Sequence, residues 1–287
     1  MKNKRALNLA LVMAVVLIVL GFATLHGQAA LKYVQSDTPT IFVHGWGSSS
    51  HAEEKMANAA REAGVTKAIV VADVDKKGKV SFNKKLPASA VNPIVEVNLE
   101  DNKLVGYEDN YTAGYHHGGT YVKDVVLALE KQHHYAAINL VGHSMGNLEI
   151  INYINDNTGN KKLPKINHLV AIAGHYNGLV GQTDAEKASL NQDGQPSWED
   201  DSYKQLLSLR QTFPRNTRVL NIYGDLNNGT HSDKDVPVNS AKSLKYLVAG
   251  RAKSYQVLEI KGKMGQHSRL HNNNQVNQAL IKFLWMK

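Results

Sequence analysis

The sequence predicts a doubly wound, mostly parallel α/β sheet with one long insertion. Three observations carry that prediction. Strand-like and helix-like patterns alternate through most of the chain. Several strand candidates are near-continuous apolar runs, which suits parallel strands buried on both faces. One such run, "YAAINLVGH", ends in Gly142-His143-Ser144-Met145-Gly146 and passes directly into a helical pattern. A small polar residue between two glycines packs poorly. It is well chosen if the serine must be held out at the tip of a sharp turn.

The elements follow in order. Ile41-Phe42-Val43 is apolar and β-prone, and the glycines and serines of "HGWGSSS" stop it. The stretch "SSHAEEKMANAAREAG" reads as a helix opened by a capping box, Ser50 with Glu53, and ended by Gly64. "KAIVVADVDKKGKVSF" reads as two strands around Lys77-Gly78, and "NPIVEVNLEDN" as another. Tyr121 to Gln132 has helical spacing, and Asn147 to Ile154 continues as a helix after the serine turn. "KINHLVAIAGH", "TRVLNIYGD" and "SYQVLEIKG" supply three more strands. "VNSAKSLKYLVAG" and "NQVNQALIKFLWM" supply the last helical segments. Residues 176–215 lie between two strands and are sparse in apolar residues until Tyr203 to Phe213. A connection of that length suits a cap or lid over a site.

Composition bounds the chemistry. The chain has 287 residues, 43% hydrophobic and 20% charged, enough for one domain with a substantial core. It has no cysteine, which excludes disulfides, thiolate metal sites and a thiol nucleophile. The net charge is +8, of which Lys2, Lys4 and Arg5 supply three. The rest reads as spread along the chain, sufficient for weak attraction to an anionic membrane or cell-wall polymer. No basic stripe is interleaved with aromatics, so nucleic-acid binding is not expected.

Residues 1–29 read as a leader. The basic start is followed by an apolar run from Ala6 to about Leu25, then by small residues around Gly27 and Ala29. The run suits either a cleaved signal peptide or a retained membrane anchor. Residues 30–287 then form an extracytoplasmic body.

Gly142-x-Ser144-x-Gly146 between strand and helix is a nucleophile elbow. The turn exposes the serine oxygen at a helix N-terminus, where partial positive charge favours a developing anion. A serine hydroxyl needs a base, and the base an orienting acid. In chain order the acid follows the next-to-last strand and the base the last. His267 is the first histidine after the final strand, with His271 as the alternative. Asp233, in a Ser-Asp-x-x-Val-Pro setting, is the leading acid, with Asp225 and Asp235 as alternatives. The oxyanion donors are the amides of Met145, after the nucleophile, and Trp46, in the His44-Gly45-Trp46-Gly47 loop that leaves the first strand. The "HHGGT" run, His116 to Thr120, reads instead as a flexible helix start. No metal or other cofactor is expected. The thirteen histidines show no helical His-x-x-x-His set with a third ligand, and the pairs His116-His117 and His133-His134 read as solvated.

On "FVHGWGSS", "NLVGHSMGN", "SDKDVP" and "GQHSRLHNN…FLW", the chain from about Thr38 to Lys287 resembles the lipase-like α/β hydrolases of uncharacterised function found in Gram-positive bacteria. The resemblance implies an α/β-hydrolase fold, a small cap insertion and a serine-hydrolase mechanism using Ser144, Asp233 and His267. Two positions depart from that pattern. Asn147 stands where many members have a further glycine, and Lys234 where glycine usually follows the acid. The function expected is ester hydrolysis on a small-molecule or lipid substrate. An acyltransferase with the same triad, a peptide-bond hydrolase and a non-catalytic cell-surface binding module are the alternatives.

Overall fold

An eight-stranded sheet organises the chain in the order β3-β2-β4-β1-β5-β6-β7-β8. The computed structural model describes residues 32–287. The strands are β1 Thr40–Val43, β2 Ile69–Val74, β3 Val80–Phe82, β4 Ile94–Leu99, β5 Ala137–His143, β6 Lys165–Ile172, β7 Arg218–Asp225 and β8 Ser254–Lys261. The helices are α1 Glu54–Glu62, α2 Tyr111–Gln132, α3 Met145–Asp156, α4 Thr183–Lys187, α5 Asp201–Gln205, α6 Leu209–Thr212, α7 Val238–Lys242, α8 Leu244–Val248, α9 His267–Leu270 and α10 Asn274–Trp285. This is the α/β-hydrolase fold, with helices on both sides of the sheet. The compact unit that carries it spans Gln35–Met286. The leader reading falls on residues 1–29, outside the described residues. Among the described residues no helix is long and apolar enough to cross a membrane.

Every strand pairing is parallel except the β2–β3 hairpin. β1 lies between β4 and β5: the chain builds β2 to β4 on one side of it and then crosses from β4 to β5 on the other. That reversal opens a crevice at the carboxyl ends of the strands, the usual ligand position in such sheets. The central strands are buried on both faces. Every residue of β1 and of β5 is buried, which is why their sequences do not alternate. β8, at the edge, is partly exposed, and Val257 stands open on it.

Three helical readings change in the folded molecule. Ser50 opens a short 3-10 turn, and α1 begins only at Glu54. The capping box does not form, because Glu53 is buried beside Glu96 instead of reaching back to cap. The run "HHGGT" is no loose start. It lies inside α2, which begins five residues before it, capped by Asn110 Oδ1 accepting from the Ala113 N–H at 3.1 Å. Its glycines serve packing. A Cβ on Gly119 would stand 2.9 Å from the Tyr153 backbone nitrogen, so only glycine lets α3 approach this closely. The segment read as one helix over residues 238–250 is two, α7 and α8, which meet at Ser243.

Of the paired histidines, His116 and His117 are less solvated than their sequence suggests, while His134 is exposed as expected. The His116 ring is hydrogen-bonded at both nitrogens, to Asp156 at 2.7 Å and Gln205 at 2.6 Å. His117 stacks on Tyr107 and bonds the Tyr121 hydroxyl at 2.9 Å.

The long insertion divides in two. From Asp201 onward it belongs to the core: Tyr203, Leu206, Leu209 and Phe213 are fully buried. The Tyr203 hydroxyl donates to the Ser243 carbonyl at 3.0 Å, and the Arg210 guanidinium lies 3.6 Å from the Tyr246 ring centre. Residues 176–200 hold only the short α4 and an isolated Leu190–Pro196 bridge.

Candidate active site

β5 runs fully buried to His143, and the chain then turns through Ser144 into α3. Ser144 has φ 52° and ψ −123°, a conformation that costs a non-glycine residue about 1–3 kcal/mol. The turn is over-determined by its surroundings. The Ser144 N–H donates to the Ile172 carbonyl at 2.9 Å. Cβ atoms on Gly142 and Gly146 would collide with Asn147 and with the Val43 and His44 carbonyl oxygens respectively. Asn147 is a brace in its own right. Its Nδ2 donates to the Ser144 carbonyl at 3.1 Å and the Ile172 carbonyl at 2.8 Å, tying the elbow to β6.

The structure brings Ser144, His267 and Asp233 together. His267 is the first residue of α9, its side chain buried and its Nε2 2.9 Å from Ser144 Oγ. Its Nδ1 lies 2.8 Å from Asp233 Oδ2. A carboxylate only accepts, so Nδ1 carries the proton and Nε2 presents a lone pair to the serine hydroxyl. Asp233 is 1% exposed, and its Oδ1 accepts from the N–H groups of Asp235 at 3.0 Å and Val236 at 2.7 Å. The His267 N–H donates to the Asp233 carbonyl at 2.9 Å, so backbone and side chain fix the same pair.

The alternatives stand elsewhere. Asp225 closes a turn at the end of β7, its Oδ1 accepting from the Asn227 N–H at 2.7 Å. Asp235 is exposed and reaches Asp233 only through its backbone N–H. His271 sits against His143, ring centres 4.8 Å apart.

Lys234 has φ 97°, in the left-handed region that favours glycine, which explains the glycine usual at this place. Lys234→Gly is therefore expected to stabilise the protein by about 0.5–1 kcal/mol, seen as a higher Tm. An unchanged or lowered Tm would contradict that strain.

Two histidines brace the loops around the serine. His44 Nε2 accepts from the Leu99 N–H at 3.1 Å, so its Nδ1 must be the donor to the Gly45 carbonyl at 2.9 Å. That bond turns the Gly45 carbonyl, and with it the far side of the same peptide, the Trp46 N–H. A Cβ on Gly45 would stand 2.9 Å from Ser144 Cβ, so this loop lies directly against the elbow. Trp46 itself is 55% exposed, with the Lys103 ammonium 4.9 Å from its ring centre. Met145 is the first residue of α3, so its N–H has no partner within the helix. His143 Nε2 donates to the His267 carbonyl at 3.2 Å.

The neighbouring imidazoles are kept neutral. Burial, then His267 and His271, holds His143 well below the usual imidazole range. Burial, then His267, holds His175 at about 3, and its Nε2 bonds the Tyr115 hydroxyl at 3.0 Å. Asp233 thus faces His267 with no charged histidine competing.

The family described as alpha/beta hydrolase of unknown function (DUF915) matches residues 28–287. The chain belongs to this family. Solved structures share its fold. The lin2722 gene product of Listeria innocua is 24% identical, with a TM-score of 0.76, over 87% of this chain and 94% of that one. A proposed cell surface hydrolase from Lactobacillus plantarum WCFS1 is 19% identical, with a TM-score of 0.68, over 86% of this chain and 89% of that one. No functionally curated protein matches. As a DUF915 member the chain is a hydrolase by superfamily. Among its described residues no group of three or more His, Asp or Glu side chains is arranged to hold a metal ion.

Sequence reasoning missed His44, His143, Asn147 and His175 as supports of this DUF915 site. The first three flank motifs it had singled out, and their neighbours on adjacent strands become visible only in the fold. His175, in the loop leaving β6, carries no local signal.

Proposed function

We propose that the protein is an extracytoplasmic serine hydrolase that cleaves carboxylic esters of small molecules or lipids. The observation that carries this reading is the unbroken relay from Asp233 through His267 to Ser144 at a strained strand-to-helix turn. His267 takes the proton from Ser144 as the oxygen attacks the ester carbonyl. The Met145 and Trp46 amides hold the oxyanion. Asp233 keeps the His267 proton on Nδ1 and stabilises the imidazolium. His267 then protonates the departing alkoxide, and water releases the acyl enzyme by the same steps in reverse.

Residues 176–200 are the part of the insertion suited to act as the cap. The Val180 N–H donates to the Asp235 carbonyl at 3.0 Å, which ties this stretch beside the acid loop. The extracytoplasmic setting rests on the basic and apolar pattern of residues 1–29.

A fluorophosphonate probe with peptide mapping tests the nucleophile. Label is expected on Ser144 and is lost in His267→Ala; a folded protein labelled elsewhere or nowhere overturns the proposal. Para-nitrophenyl acetate is expected to be turned over at least about a hundredfold faster than the matching anilide, since an amine leaves far less readily than a phenolate. Comparable rates would replace the ester reading with peptide-bond hydrolysis.

A further inference from the structure

Charges that lie far apart in the sequence meet at one end of the fold. Residues 157–168, 213–220 and 249–256 lead into β6, β7 and β8, which are neighbours in the sheet. They carry three, two and two Lys or Arg residues respectively, and no Asp or Glu. The register sets Arg218 level with both His168 and Ser254, so the cations converge at the amino ends of these strands. Their field is felt at His168, whose imidazole is held at about 4 by burial, then by Arg218 and Lys253.

This end is also concave. A cavity of about 640 Å³ is lined by Lys161, Lys162, Lys165 and Arg215 together with Asn157 and Asn160, and no carboxylate lines it. None of the four cations is in an ion pair among the described residues. The neighbouring acid Glu130 is already engaged, accepting from His134 at 2.8 Å and from the Tyr135 N–H at 2.9 Å.

The chain enters the domain at the same end. Asp37 pairs with His133 at 3.6 Å, and the Pro39 carbonyl accepts from the Asn139 N–H at 2.9 Å, both beside the start of β5. The basic start and apolar run of residues 2–25 precede that entry in sequence.

We propose that this end of the domain docks on an anionic lipid bilayer, with phosphate headgroups seated among Lys161, Lys162, Lys165 and Arg215. A bilayer is favoured over a polymer because the cations cover the ends of three adjacent strands and the chain enters at the same face. Leu163, Pro164 and Pro214 line the same cavity but are half-buried, whereas Lys161, Lys162, Lys165 and Arg215 are exposed, so the attachment is mainly electrostatic and weakens with salt. Ser144 follows the opposite end of β5, roughly 25 Å away along the strands. The site then faces away from the bilayer that holds the protein. This inference is independent of the ester reading.

The test uses the full chain and compares its partitioning to phosphatidylglycerol and phosphatidylcholine vesicles at low salt. The ratio of the two is read, so that residues 1–34 contribute to both measurements. Lys161→Gln, Lys162→Gln, Lys165→Gln and Arg215→Gln together are expected to lower the phosphatidylglycerol preference about a hundredfold or more. A control losing the same charge, Lys76→Gln, Lys77→Gln, Lys79→Gln and Lys123→Gln together, is expected to keep it. An unchanged ratio in the first variant, or an equal loss in the control, overturns the proposal. So does a protein that binds inorganic polyphosphate through these residues but partitions equally to both vesicles; the cavity would then be a groove for a soluble polyanion.

Discussion

Asp233→Asn is expected to lower kcat for a phenyl ester by about a thousandfold to ten-thousandfold, whereas Asp225→Asn leaves it within about tenfold. The size of the first effect follows from the hydrogen bonds around Asp233. Its Oδ1 accepts from two backbone N–H groups, those of Asp235 and Val236. An asparagine must offer its only acceptor oxygen to those donors. Its NH2 then faces His267 Nδ1 and forces the proton onto Nε2. The imidazole can no longer receive the proton from Ser144, and the charge that stabilised the imidazolium is gone as well. Asp225 makes no bond to His267; its carboxylate closes the Asn227 turn, a role asparagine can share. Ser144→Ala, which removes the nucleophile itself, is expected to cost about ten-thousandfold to a millionfold. Equal losses from Asp233→Asn and Asp225→Asn, with both proteins folded, would show that the acid has been misassigned.

The second large effect is on stability. Glu149 is fully buried between α2 and α3, and neither carboxyl oxygen has a hydrogen-bond partner. Burial, then Asp101, raises its pKa to about 8 from an ordinary 4.5. The folded protein therefore binds a proton that the unfolded chain has released between those two values. Stability from this group is fully present below about pH 4.5 and is lost as pH rises towards about 8. Glu149→Gln keeps the shape and removes the ionisation. It is expected to match the native protein at pH 4.5 and to be more stable by about 2–4 kcal/mol at pH 9, read from urea midpoints. Glu53, raised to about 8 by burial and then Glu96, adds a similar pH dependence that the variant retains. A gain of the same size at both pH values would sink the linkage argument. A loss at pH 9 would show that the charged form has a partner within the helix pair.

The sheet, the elbow and the chain order of the candidate site residues are legible in the order of residues alone. The central strands are apolar runs because both of their faces are covered, a local pattern with one cause. Gly142-x-Ser144-x-Gly146 is legible because the turn forbids side chains at both glycines whatever surrounds it. His267 is legible because it lies in the loop leaving the last strand. Local pattern misled where a residue's partner lies far away in the chain. Glu53 matches a capping box until Glu96 and the core claim it. "HHGGT" matches a flexible helix start until Tyr153 of α3 requires the glycine. Asp233 leads Asp225 and Asp235 in sequence only by its Ser-Asp-x-x-Val-Pro setting, and it is the path of the loop after β7 that brings its carboxylate to His267. The braces from His44, Asn147 and His143, the unpartnered Glu149 and the gathering of cations below β6 to β8 are likewise products of the tertiary structure. Hydrogen bonds and fields act over a few ångströms in space, and residues 25 to 124 positions apart reach that range only once the sheet has assembled.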